Sequence, residues 1–167
     1  NAEELVVLLG RAGDSLAPAA MLAGMAELRR AAALPRLNAH TQDFCLTLTA
    51  GDPSREQRAL LYGSLVAGAH ARTGAFPAPA DLRRTLAAAP GQEGLAAERA
   101  LAAACDMTDG VAPLDDGWAV FAPTLAVPIP AGTVGLGDSF TGGVLALLSG
   151  ASSLRRRDCR SARARAR

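Results

Sequence analysis

Thr133-Val134-Gly135-Leu136-Gly137-Asp138-Ser139-Phe140-Thr141-Gly142-Gly143 is the most informative stretch of this 167-residue chain. Alternate glycines let the backbone turn tightly and approach a ligand closely. The apolar run from residue 139 to residue 148 reads as a helix. Its free N–H groups and positive dipole end face the turn, which makes an anion site. Asp138 is the odd member, because a carboxylate beside bound phosphate is electrostatically costly unless it has a task. Taking a proton from a nucleophilic hydroxyl is one such task. Phe140 stands where the dinucleotide fingerprint has its third glycine, and the chain has no lysine for a Walker loop. On these residues alone the stretch is also readable as an ordinary helix N-terminus capped by Asp138.

Working outward, residues 117–121 and 124–129 read as two short strands punctuated by prolines. Residues 81–88 and 93–105 read as short helices after a Phe76-Pro77-Ala78-Pro79 linker. Gly51-Asp52-Pro53-Ser54 is a turn and helix start, and the long helix that follows runs to about Arg72. Gly63, Gly68 and the alanines of this helix permit close packing against a sheet. His70, near its end, has no partner in view and reads as structural. Residues 36–50 read as one extended stretch, in which Phe44, Leu46 and Leu48 alternate with Cys45, Thr47 and Thr49. Residues 3–9 suit a helix start. A second helix, capped by Asp14 or Ser15, runs through Met21, Met25 and Leu28 to about Ala33. This order predicts an α/β layered sheet rather than a helical bundle.

Composition narrows the chemistry. Alanine supplies 38 residues against six aromatics, so the core is built from small side chains. All 17 basic residues are arginine, which excludes Schiff-base and phosphate-loop lysine mechanisms. Residues 1–150 carry 10 Arg against 15 Asp and Glu, whereas residues 151–167 carry 7 Arg and one Asp. The body is acidic, so nucleic-acid binding would rest on the Arg-rich tail, which reads as a disordered extension. Three cysteines without paired spacing and two distant histidines exclude a zinc pattern. They make a reducing cytoplasm the expected compartment. No stretch approaches the roughly 18 apolar residues of a membrane span, and residues 1–9 do not resemble a signal peptide. The chain opens on Asn1 without an initiating Met, as a fragment does.

Gly-x-Gly-Asp opening an apolar helix resembles the anion-hole motif of ribokinase-superfamily sugar kinases. Thr133-Val134-Gly135-Leu136-Gly137-Asp138 is similar to the ADP-dependent glucokinase and phosphofructokinase family in particular. So are Phe121-Ala122-Pro123 with Pro128 and Pro130, and Arg36-Leu37-Asn38-Ala39-His40-Thr41-Gln42-Asp43-Phe44. Asn1-Ala2-Glu3-Glu4 resembles the superfamily's Asn-x-x-Glu magnesium motif. The resemblance implies that residues 1–150 are the C-terminal, nucleotide-binding portion of a ribokinase-like three-layer α/β/α sandwich, without its lid domain and most sugar contacts. It implies Mg²⁺-dependent phosphoryl transfer from ADP to a sugar or sugar-phosphate hydroxyl, of glucose or fructose 6-phosphate. Asp138 would be the base, and the turn Gly135, Leu136 and Gly137 would hold the developing charge. Glu4 and Asn1 would attend Mg²⁺, and His40, Phe44, Thr133 and Val134 would lie near the adenine. Ser139-Phe140-Thr141-Gly142-Gly143 is more similar to ribokinase-type enzymes, which makes ATP the alternative donor. A chain lacking the sugar half would be an inactive nucleotide-binding fragment by itself.

Overall fold

The computed structural model describes residues 2–8, 10 and 17–150. Helix α1 (Ala2–Leu8) is followed by α2 (Pro18–Ala31), which has Pro18 in its first turn and Arg29 and Arg30 in its last. The Asp14 and Ser15 caps expected for α2 and the tail 151–167 lie outside the described residues. The expected single extended stretch is instead a hairpin of β1 (Arg36–His40) and β2 (Phe44–Thr49). Thr41 makes the turn, because its Oγ1 accepts hydrogen bonds from the Asp43 and Phe44 amides, each at 3.0 Å.

Helix α3 (Pro53–Thr73) starts where Asp52 accepts from the Ser54 amide at 2.9 Å and ends on left-handed Gly74. Short α4 (Pro79–Thr85) and then α5 (Gln92–Cys105) follow. Strands β3 (Val111–Leu114) and β4 (Gly117–Pro123) form the second hairpin. Helix α6 (Leu136–Leu148) closes the described chain.

Residues 124–129, expected as a strand, make a single isolated bridge between Pro90 and Leu125. Pro128 and Pro130 have no N–H to give a ladder. The segment is tied down piecemeal instead: the Thr124 amide donates to Asp43 O and the Ala126 amide to Ala89 O, both at 2.9 Å. Pro113 within β3 is tolerated because β3 is an edge strand.

The sheet is antiparallel with strand order β1-β2-β4-β3. Every residue of central β2 is buried because both of its faces are covered. One face carries Ala39, Phe44, Leu46, Leu48, Ala119 and Phe121 against Met21, Leu22 and Met25 of α2 and Ala97 and Leu101 of α5. The other carries Cys45, Val120 and Ala122 against Ala59 and Leu60 of α3 and Phe140 and Val144 of α6. The result is a three-layer α/β/α sandwich, as expected. Thr47, on the second face, takes a 2.7 Å hydrogen bond from the Asn38 amide nitrogen.

The helix glycines do not serve the sheet as anticipated. A Cβ on Gly63 would lie 2.8 Å from Phe140 O, and one on Gly143 would lie 2.9 Å from Gly63 Cα. The missing side chains let α3 and α6 cross in contact. Gly68 faces Thr85 and Leu125 instead.

Candidate active site

The turn before α6 is held by the end of α3. The Ala131 and Gly132 amides donate to Ala71 O at 2.7 and 3.4 Å, laying this segment along the last turn of α3. Gly135 then caps α6 at φ 75°, ψ 10°, a left-handed conformation that L side chains adopt at a cost. Its carbonyl accepts from the Ser139 amide at 3.0 Å, which closes the first turn. Leu136, Gly137 and Asp138 are the first three helical residues, so their N–H groups have no acceptor within the helix. Asp138 is exposed on that same turn, while Ser139 and Phe140 are buried beneath it at 4% and 3% exposure. The helix starts at Leu136, three residues before the start read from the sequence, and so takes the motif into its own first turn.

Two imidazoles flank this turn. His40, at the end of β1, brings Nε2 to 3.0 Å from where a Gly137 Cβ would stand, and its ring packs on Phe140 with centroids 5.1 Å apart. Burial lowers its pKa below the ordinary imidazole value, while the Glu4 carboxylate pulls it the other way. Glu4 is exposed on α1. On the far side, His70 of α3 lies 2.6 Å from Ser139 Oγ through Nδ1, and its Cε1 is 3.6 Å from the position of a Gly135 Cβ.

The structure therefore gathers His40 and the Gly135-to-Asp138 turn at one end of the sandwich, with Glu4 acting on His40. Thr133 and Val134 are exposed in the loop immediately upstream. Phe44 is not brought into this group. It is 6% exposed, stacks on Phe121 at 5.3 Å, and points to the opposite face of the sheet from His40. Asn1 lies outside the described residues.

Sequence reasoning missed His70 and Ser139. Their signal was a stripe of Gly63, Val66 and His70 at i, i+3 and i+7 on α3, the face that meets α6. It also missed a cavity of about 420 Å³ lined by Arg72, Ala126, Val127, Pro128 and Ile129. That cavity adjoins the segment strapped to Ala71, and its wall is the stretch misread as a strand.

The three-layer sandwich thus presents a helix N-terminus with free amides and an exposed carboxylate on one turn. Comparison with known proteins is more specific. The family model described as the ADP-specific phosphofructokinase/glucokinase conserved region matches residues 11–147. The chain is 27% identical over 130 residues to an ADP-dependent glucose/glucosamine kinase of Pyrococcus furiosus, covering 78% of this chain and 29% of that protein. It is 28% identical to the Pyrococcus abyssi counterpart, covering 78% of this chain and 28% of that protein. Among solved structures, an ADP-dependent kinase in complex with fructose-6-phosphate and ADPβS aligns with a TM-score of 0.76 at 20% identity, over 87% of this chain and 37% of that one. A phosphofructokinase from Pyrococcus horikoshii OT3 with AMP aligns at 0.76 and 20%, over 93% and 36%. The chain belongs to the ADP-specific phosphofructokinase/glucokinase family, and spans under a third of the length of the curated relatives it matches.

Proposed function

We propose that this chain supplies the phosphoryl-handling side of an ADP-dependent sugar kinase, acting on a hydroxyl of glucose or fructose 6-phosphate. The observation that carries the reading is the first turn of α6. There, left-handed Gly135 leaves three helical amides facing outward beside the exposed Asp138 carboxylate. Asp138 accepts the hydroxyl proton as the sugar oxygen forms its bond to the terminal phosphorus of ADP. The bond from that phosphorus to the bridging oxygen breaks, and AMP leaves. Phosphoryl transfer needs positioning and charge stabilisation more than covalent catalysis, and the amides of Leu136, Gly137 and Asp138 offer both. Helix α6 and its dipole are already in place, so the donors need no rearrangement as charge develops.

Among the described residues no group of three or more His, Cys, Asp or Glu forms a metal cage. On this reading Glu4, exposed on α1, would attend Mg²⁺, which keeps several waters and takes one or two carboxylates plus substrate phosphates, while Asn1 lies outside the described residues. When bound, Mg²⁺ neutralises phosphate charge. His40 belongs on this reading beside the phosphoryl groups, and Phe44 belongs to the core. The open, partly apolar cavity beside Arg72 is a candidate place for the nucleoside, and Thr133 and Val134 follow its Ile129 wall four and five residues on in the chain. The buried Cys45 and half-buried Cys105 are free thiols, which suits a cytoplasmic enzyme. No described helix is long and apolar enough to cross a membrane.

The test is turnover by the full-length protein with Mg²⁺, ADP or ATP, and glucose or fructose 6-phosphate as acceptor. AMP formation dependent on ADP and one of these sugars is expected. Turnover with ATP alone would move the protein to the ribokinase-type donor, and no turnover with any pair would overturn the reading.

A further inference from the structure

The α3–α6 contact contains a polar pair that the proposed mechanism does not use. His70 Nδ1 and Ser139 Oγ are 2.6 Å apart, and Ser139 is 4% exposed. Ser139 directly follows Asp138 in the first turn of α6. A serine hydroxyl there has a local alternative, bonding back to the carbonyl four residues earlier, which bends a helix. That carbonyl belongs to Gly135 and takes the Ser139 amide. When the Ser139 hydroxyl donates to Nδ1 of a His70 that carries its proton on Nε2, it leaves the Gly135 carbonyl to the backbone, and the turn keeps its shape. His70 also backs Gly135 directly through Cε1. One residue further along α3, the Ala71 carbonyl holds Ala131 and Gly132. The last turn of α3 thus grips the phosphoryl turn at its entry, its cap and its fourth helical residue.

We propose that His70 is a positioning residue of this site, fixing the first turn of α6 through Ser139 so that Asp138 and the amides beside it hold one geometry. The inference rests on the phosphoryl-transfer reading above. A hydrogen bond between the two helices, rather than packing alone, sets the rotation of the turn. An apolar contact has no preferred direction, whereas this bond does. Misplacement of reacting groups by about 1 Å costs on the order of a hundredfold in rate, so a modest loosening is kinetically visible.

The experiment uses the full-length protein and compares Ser139→Ala, His70→Ala, the double variant and His70→Asn. The asparagine amide can reach the place of Nδ1. Loss of the bond is expected to lower kcat about tenfold while KM for ADP stays within about twofold, because the effect falls on the transition state. The double variant is expected to be no slower than either single one. His70→Asn is expected to recover most of the turnover, which a purely packing role would not give. Should His70→Ala fail to fold, Ser139→Ala, which removes a single oxygen, still decides the matter. Folded Ser139→Ala with kcat within twofold of the unsubstituted protein would overturn the proposal. Asp138→Asn in the same assay separates the two claims. If it is inactive while Ser139→Ala is normal, only the positioning role fails; if it stays active, the phosphoryl-transfer mechanism itself fails.

Discussion

Adjacent glycines on α6 offer a test of the packing that places the site. Gly143 faces α3, and a Cβ there would stand 2.9 Å from Gly63 Cα and 3.2 Å from Val66 Cγ2. Ordinary contact begins at 3.4 Å, so the helices must part by about 0.5 Å, and the obstacle is backbone that cannot rotate away. Overpacking of this kind costs about 1–3 kcal/mol. Alanine returns about 1 kcal/mol of helix propensity, leaving a net loss of up to about 2 kcal/mol. Gly142, one residue earlier, has nothing within 4 Å of its Cβ position. Gly142→Ala therefore keeps only the propensity gain and is expected to stabilise by about 0.5–1 kcal/mol. Urea unfolding of the full-length variants measures both, with the midpoint moving down for Gly143→Ala and up for Gly142→Ala. Equal stabilisation by the two substitutions would refute the close crossing of α3 and α6, and with it the support claimed for the first turn.

Three other outcomes are expected. Gly135→Ala forces a side chain into the left-handed region at φ 75° and should cost about 1–2 kcal/mol in the same unfolding assay, with a larger proportional loss of turnover than of ADP affinity. Arg36→Ala removes the 2.5 Å partner of Glu56 Oε1 and leaves a carboxylate that is 4% exposed uncompensated. A loss of about 2–3 kcal/mol is expected by denaturant titration. Burial lowers the pKa of His40, so its folded value lies below its unfolded value of about 6.5. The unfolded chain then takes up the proton first, and the stability His40 provides is full above that value and declines as pH falls through the window beneath it. Its ring protons, followed by NMR in Mg²⁺-free buffer, should titrate with a midpoint below 6.5; a midpoint above that would reverse the sign.

Much of the fold was legible because local chemistry and global packing agree. Asp52 and Pro53 announce α3, and the alternation of Phe44, Leu46 and Leu48 with Cys45 and Thr47 announces a strand. The hairpin was not legible, since Thr41 makes its turn without glycine or proline. Strand β3 was hidden by Pro113, which only an edge position permits. The reverse error at 124–129 came from apolar residues whose amides are used singly, by Asp43 and Ala89, rather than in a ladder. Near the candidate site, the glycine turn that opens α6 could be read directly because neighbouring residues make its geometry. His70 and Ser139 are 69 residues apart and meet only when α3 crosses α6. The two faces of the sheet likewise decide that His40 reaches the turn while Phe44, four residues on, does not.

The central claim is that Asp138 takes the proton of the attacking hydroxyl. Full-length Asp138→Asn, assayed for ADP-dependent AMP formation and titrated with ADP by calorimetry, tests it most directly. Turnover lower by about a thousandfold, with ADP affinity within a few-fold of the unsubstituted protein, is the result predicted. Turnover retained within tenfold would contradict the account.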